Sequence, residues 1–459
     1  MSRARAISIS VADHAQRIAD ITASFSESYS KSLEYTQLQM QTTSPEDQSP
    51  ISTITEESDT PADTTRVDIP LLVEDVVGTT KHQGIFNTIN ILMGISILTL
   101  PFALHLCGIF VGIILFVSYS IMTNYTGKLL GKCMQLPHLK TYSDIAHEAL
   151  GKYGAIVTVV FILELIAAGV ALLILVEDSV FVFIKVNGDI VKIMAYCIAT
   201  PFLWSNSLRL LSYTSLIGIA TFVYLLLLLI IQGLVVTDQP GSLIHPSKVN
   251  IMPHDFWKIW LASGLIMASY AGHGCTPSVF CDLKIKKEFP SLLNISYSVV
   301  FAVYSSVAIC GYLMFGDTIL NEITISMSRV PQYSKFANNI LIFLMIIGPL
   351  TKYPLVVRPI TTNIESWLLS YFETSFVFWR NICRTLASTL ILVISLKFPS
   401  FDRVMGIVGS LFSFLVSVIL PCIFYLRICR VGRAEKWIIL IIIFISIPIS
   451  VLGTIAAFQ

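Results

Sequence analysis

The sequence predicts an all-α polytopic membrane protein. Eleven transmembrane helices are expected, arranged as two inverted repeats of five with an eleventh appended, the first and sixth helices being broken. Three observations lead there. The composition is 54% hydrophobic and only 13% charged, with a mean hydropathy of +0.76. Soluble domains carry about a quarter charged residues. From residue 85 onward, apolar runs near the ~20 residues a bilayer requires follow one another to the C-terminus. Two of those runs are interrupted in the middle by the same punctuation, Gly and a small or polar residue followed by Pro.

The first eighty residues stand apart. Residues 1–80 are rich in Ser, Thr, Asp and Glu and poor in aromatics, a composition that cannot bury a core, so a disordered tail is expected. No apolar stretch near Met1 resembles a cleavable signal. The transporter-like domain then covers residues 81–459, with spans at 85–106, 109–130, 153–176, 190–206, 211–236, 256–281, 291–315, 336–357, 377–396, 404–426 and 436–457. Between the second and third, TYSDIAHEAL (141–150) has capping-type residues Ser143 and Asp144 and ends at Gly151. It reads as a short helix lying at one membrane face. The alternate loops on the side of the tail hold about twice as many Lys and Arg as the others. That bias predicts a cytosolic N-terminus and, with an odd number of spans, a lumenal or external Gln459.

Several function classes drop out. No basic tract suggests nucleic acid, and no nucleophile elbow, phosphate-cradling loop or metal-ligand spacing occurs. The nine cysteines form no CxxC and read as small hydrophobes. Neither a catalytic site, nor a cofactor, nor a metal is expected; oligomeric state is not legible.

The breaks carry the chemistry. The first run, GIFNTINILMGISILTLPFALHLCG (84–108), opens at Gly94-Ile95-Ser96 and closes at Pro101. The second, DFWKIWLASGLIMASYAGHGCTPSVF (255–280), opens at Gly272-His273-Gly274 before Pro277. Lipid offers no hydrogen bonds, so irregular backbone at that depth is tolerated only where it lines a protein cavity. Paired interrupted helices in corresponding halves of a chain point to a transporter's substrate site. Amides from Ile97 onward suit a carboxylate, and carbonyls around Ser269, Tyr270 and Gly272 suit an ammonium. An amino acid zwitterion matches both ends; the competing reading is that these glycines merely allow close helix packing.

Glu164, in the middle of the third span, is costly there as a charge and is a candidate proton carrier; a neutral, purely structural glutamic acid is the alternative. His273, inside the second break, is either a second proton site or a neutral residue steadying unwound backbone. Lys352, in GPLTKYPLV of the eighth span, is either a fixed charge at a cation position, beside the oxygen donors Thr351 and Asn90, or a snorkelling residue.

The stretches FNTINILMGISILTLPFAL, LELIAAGVALLILVEDSV, SYAGHGCTPSVF, GPLTKYPLVVRPI and MGIVGSLFSFLVSVILPCIFYLRI together resemble the amino acid/auxin permease family. Within it the likeness is to the vacuolar amino acid transporters related to the vesicular inhibitory amino acid transporter. The resemblance implies an eleven-span LeuT-type fold, a cytosolic tail and proton-linked amino acid transport across a vacuolar or lysosomal-type membrane. A plasma-membrane symporter or an amino-acid-sensing receptor of the same fold are the alternatives. It also implies that Gly94, Ile95, Ser96 and Ile97 with Ser269, Tyr270, Gly272 and His273 line the substrate site. Asn90 and Thr351 match positions that hold sodium in the sodium-coupled branch, but Lys352 follows Thr351 as in the vacuolar branch, which argues against sodium. The first break reads G-I-S where many relatives have G-x-G, so Ile95 and Ser96 leave the substrate's size open. The expected partners are an amino acid, protons and the lipid bilayer.

The tail is expected to be dispensable for transport, since it lacks core-forming residues. Deleting residues 1–65 leaves flux in proteoliposomes unchanged, whereas a folded truncation without flux would give the tail a direct part in transport.

Overall fold

The computed structural model describes residues 78–204, 208–371, 376–398 and 400–459; most of the expected tail lies outside them. The described residues are helical, with one isolated bridge, Thr79 to Leu283. Eight helical stretches are long and apolar enough to cross a bilayer by length and composition. The expected first, fourth and sixth spans do not meet that length individually, because two are interrupted and one has 17 residues.

The helices are α1 (Lys81–Leu92), α2 (Leu100–Cys133), α3 (Tyr142–Leu150), α4 (Gly154–Phe183), α5 (Gly188–Trp204), α6 (Leu208–Val235), α7 (Lys258–Ser269) and α8 (Thr276–Asp282). They continue with α9 (Phe289–Phe315), α10 (Ile323–Ser328), α11 (Lys335–Tyr371), α12 (Phe376–Ser395), α13 (Phe401–Ile407), α14 (Leu420–Ile428) and α15 (Arg433–Phe458). Helix α2 holds the end of the first span and all of the second. Its two parts are divided at Gly108, whose φ of 74° belongs to the left-handed region, and a Cβ there would stand 2.7 Å from the Ile251 carbonyl oxygen. Between α13 and α14 the backbone runs as π-helix over Val408–Ser413 and Leu415–Ile419, a geometry that frees carbonyls and concentrates at functional sites.

The short helix expected at 141–150 is present as α3, but its cap is Thr141, two positions before Ser143 of the expected pair. Thr141 and Asp144 close a reciprocal capping box. Tyr142, Ile145, Ala146 and Ala149 form its buried face, and the Tyr142 hydroxyl donates to the Val416 carbonyl at 2.6 Å.

Packing separates the helices into two sets. Helix α9 lies along α1 and α2, with α7 against α2; α11 lies along α4 and α5, with α12 against all three. The chain just before α1 pairs with the chain just after α8: Thr79 N–H donates to the Asp282 carbonyl at 2.6 Å, and Lys284 N–H to the Thr79 carbonyl at 3.0 Å. The outer halves of the two broken helices are thereby tied at one end of the bundle.

Glycine permits the tightest approach in the core. A Cβ on Gly409 would stand 1.7 Å from the Gly264 carbonyl oxygen, where α7 meets the π-helical stretch. Gly409→Ala must therefore push two backbones apart, at about 1–3 kcal/mol or more. Gly348→Ala in α11 meets nothing within 4 Å and is expected to be neutral or slightly stabilising. Thermal unfolding in detergent compares the two; equal midpoints would mean the α7 contact is freely adjustable.

Candidate functional site

Helix α1 stops at Leu92. Met93 leaves the helical region, Gly94 is extended, and a 3-10 turn resumes at Ile95–Thr99 before α2. The opened backbone groups are met by one side chain from another helix. The Tyr304 hydroxyl of α9 donates to the Leu92 carbonyl at 2.6 Å and accepts from the Gly94 N–H at 3.2 Å. Ser96 and Ile97 are buried just beyond, and Thr99 Oγ1 donates to the Ser96 carbonyl at 2.9 Å.

Helix α7 stops at Ser269, and the chain re-forms helix through a 3-10 turn at His273–Cys275. At Gly272, a Cβ would stand 3.1 Å from Leu92 Cδ2 and 3.2 Å from Ile91 Cγ2. The two breaks therefore touch, and the absent side chain is what lets them. Tyr270 is fully buried, stacked on Tyr297 with ring centroids 6.5 Å apart and edge-on to Tyr304 at 5.9 Å. Ser269 is also buried, its hydroxyl bonded back to the Leu265 carbonyl. A narrow recess reaches this meeting point, lined by Thr88, Ile91 and Leu92 of α1, Gly272 and Thr276 of the second break, and Tyr297 of α9, among others.

His273 is 0% exposed. Its Nε2 lies 3.0 Å from the Thr123 carbonyl and 3.0 Å from Thr126 Oγ1. Thr126 Oγ1 itself donates to the Ser417 carbonyl of the π-helical stretch at 2.6 Å. The network assigns the proton to Nε2, leaving Nδ1 without a partner among the described residues. The imidazole thus docks the second break onto α2.

Glu164 sits on α4 close enough to Tyr142 and Cys275 to interact electrostatically with both. One turn earlier, the Phe161 ring packs where a Cβ of Gly274 would stand. The sequence-predicted acid therefore lies beside the second break, though no direct bond joins it to His273. Of the expected cation-position group, Thr351 Oγ1 donates to the Gly348 carbonyl of its own helix at 2.9 Å. Lys352 extends against Gly218 of α6, with Nζ 5.1 Å from the centre of the Phe222 ring. Asn90 lies in α1, two residues before that helix ends at Leu92.

Tyr304, Thr123, Thr126 and Tyr297 were not singled out from the sequence. A signal existed for the tyrosines: Tyr297, Tyr304 and Tyr312 recur at intervals of seven and eight along one face of an apolar span, and a buried phenol normally needs a partner. The partners of Tyr304 are main-chain groups some two hundred residues away, and that of Tyr312 is the Asn250 N–H, which no spacing reveals.

Over residues 78–459 the chain matches the family of transmembrane amino acid transporter proteins. It belongs to that family. Among its relatives are amino acid transporter AVT1E of Arabidopsis thaliana, 30% identical over 82% of this chain and 73% of the relative. Amino acid transporter AVT1I of the same plant is 30% identical over 84% of this chain and 96% of the relative. Among solved structures, MhsT in complex with L-phenylalanine superposes with a TM-score of 0.50 at 10% identity, over 82% of this chain and 98% of that one. A mutant of the manganese transporter of Eremococcus coleocola superposes with a TM-score of 0.52 at 11% identity, over 84% of this chain and 89% of that one. The fold is thus of the LeuT type, and the family's members are transporters of amino acids, a transport and not an enzyme function.

For this family member, Tyr304→Phe keeps the ring against Tyr270 and removes the hydroxyl spanning the first break. Two buried main-chain groups then lose their partner, at about 1–3 kcal/mol each. Reduced thermal stability and reduced amino acid uptake by the folded variant are expected. Wild-type values of both would mean the break is held open by something else.

Proposed function

We propose that this protein is a proton-coupled amino acid transporter of a vacuolar or lysosomal-type membrane, working by alternating access with the substrate held between the two helix breaks. The observation that carries the reading is the contact of Gly272 with Ile91 and Leu92. It puts the second break against the end of α1, next to the first break, inside the bundle. A zwitterion at that point meets main-chain donors after Gly94 and main-chain acceptors around Ser269 and Tyr270, so no charged side chain is required to bind either end. Ser96 and Ile97 on one side and Tyr270 on the other then bound the space for the substrate's side chain.

The tertiary packing supports a rocking motion. The spans carrying α1, α2, α7, α8 and α9 form one body, and those of α4, α5, α11 and α12 the other. With the tail cytosolic, the recess beside Thr88 and Thr276 is the cytosolic path to the site, and Gln459 lies in the lumen. Glu164 stands on the second body facing the break on the first, so its surroundings change between dry and wet as the bodies move. That change is what couples a proton to the cycle. His273, tied to Thr123 and Thr126 of its own body, keeps its surroundings and serves as support for the break.

Uptake of labelled amino acids into proteoliposomes under an imposed pH gradient tests the reading. One pH unit is worth about 1.4 kcal/mol per proton, or about a tenfold substrate gradient for one coupled proton. Glu164→Gln is expected to abolish accumulation against a gradient while sparing binding, and His273→Gln to weaken binding. Accumulation retained by Glu164→Gln and lost in His273→Gln would reverse the two roles; binding without any flux would make the protein a receptor.

A further inference from the structure

At the end of the bundle away from the recess, four carboxyl groups gather where the C-terminus of α4, the start of α10 and the start of α13 meet. They are Glu177 and Asp178 on α4, Glu322 just before α10, and Asp402 in the first turn of α13. Two of them are accounted for. Lys192 of α5 lies 2.9 Å from Glu177 Oε2 and also donates to the Ser395 carbonyl at 3.1 Å. Asn321 Nδ2 donates to Asp402 Oδ1 at 3.3 Å.

The other two face each other. Glu322 is 0% exposed, and its carboxyl stands against the Asp178 carboxyl and the Thr324 hydroxyl, with no cation bonded to either of its oxygens among the described residues. Its strongest charged neighbour is Asp178, followed by Asp402. The charged groups facing Asp178 are Glu322, Glu177, Lys192 and Asp402. One lysine, already paired, thus stands against four acids. Glu322 is buried, Asp178 beside it is half-buried, and the one nearby lysine, Lys192, is already paired with Glu177, so the two carboxyl groups do not both stay ionised. With one proton between them, the pair becomes a donor and an acceptor joined by a short charge-assisted bond.

What the pair joins gives that proton a consequence. Helix α10 is a cover. Ile323, fully buried, lies beside Gly311 of α9, which Pro101 of α2 also approaches, and α10 packs on the 3-10 turn of the first break as well as on α4 and α11. Glu322 is the residue from which α10 starts, and Asp178 belongs to α4, so the pair joins the cover to that helix.

We propose that Asp178 and Glu322 bind one proton between them, and that this proton fastens the α10 cover to α4. It is a proton site separate from Glu164. Its effect on transport rests on the alternating-access reading, whereas proton binding by the pair does not. Burial, reinforced by the Asp178 charge, holds the Glu322 carboxyl well above the usual carboxylate range while the cover is shut. In the open, hydrated state that shift disappears. The closed state therefore gains its full advantage below the ordinary carboxylate range, and loses it as the pH rises through the raised value. An acidic medium on this side shuts the cover, and a neutral one releases it.

Hydrogen exchange of the segment 319–330 in the full-length protein, without substrate and corrected for the intrinsic pH dependence of amide exchange, reads the cover directly. In the wild type, protection is expected to fall at least tenfold between about pH 5 and about pH 8, as linkage requires for a group whose proton affinity differs between states. In Glu322→Gln and in Asp178→Asn, each tested alone, protection of this segment is expected not to vary with pH while that of α2 and α9 stays as in the wild type. Wild-type protection that is level across this range overturns the proposal even if neither variant folds. So does a folded Glu322→Gln or Asp178→Asn that keeps the wild-type pH dependence. Flux is not measured, so a failure here is distinct from a failure of the transport reading.

Discussion

Everything in the site depends on one constraint: main-chain donors and acceptors in the middle of a bilayer must find partners inside the protein. Interrupting α1 at Leu92 breaks helical bonds where no water is expected. The Tyr304 hydroxyl spans the gap, taking the Gly94 N–H and giving to the Leu92 carbonyl. The second break is steadied differently. His273 is fastened to α2 through Thr123 and Thr126, and Thr126 reaches a carbonyl freed by the π-helical stretch before α14. Both breaks are held from the side by residues on neighbouring helices, which leaves their inner faces open toward each other.

The same constraint explains where the small residues lie. Gly272 lets the second break rest on Ile91 and Leu92, and Gly409 lets α7 approach the π-helical stretch until a carbonyl oxygen occupies the place of a side chain. Between lipid-embedded helices there is no hydrophobic drive to association, so close contact itself supplies much of the cohesion. The glycines at these crossings are consequently packing residues. For Gly272 the close packing brings the second break against the end of α1, so the packing reading offered by the sequence does not exclude the site reading.

Much of this was legible in the chain. The breaks announced themselves because Gly and Pro are the residues that interrupt helices, and hydropathy placed the spans because lipid demands long apolar stretches. The turn at Gly108 falls between the first two expected spans, inside one continuous helical stretch. What stayed hidden depends on contacts far apart in the sequence. Tyr304 meets Leu92 across 212 positions, and Thr126 meets Ser417 across 291. The cap of α3 was displaced from Ser143 to Thr141 because local pattern allows either, while the reciprocal bond with Asp144 selects one. Lys352 turned toward Phe222, a preference for an aromatic face that its neighbours in sequence do not encode.

The ionisable groups in the bundle divide by what surrounds them. Glu164 stands at mid-depth beside the second break, with a tyrosine and a cysteine for neighbours and no fixed counter-ion among the described residues; its surroundings change only if the bodies move. Lys192 and Glu177 are neighbours on adjacent helices of one body, so their attraction stiffens that body and does not report on its motion. Glu322 and Asp178 lie across the seam between the start of α10 and α4, and their repulsion is relieved either by a proton or by separation. A charge pair within a body is structural; an acid at the seam is the arrangement that lets a proton do mechanical work. On the reading proposed above, the molecule has two places where protonation and movement are linked, one beside the second break and one at the covered end. Glu164 and Asp178 lie on the same helix, α4, about four turns apart, since residues 164 and 178 are separated by fourteen positions at about 3.6 per turn. On that reading α4 is the one helix that both proton sites share.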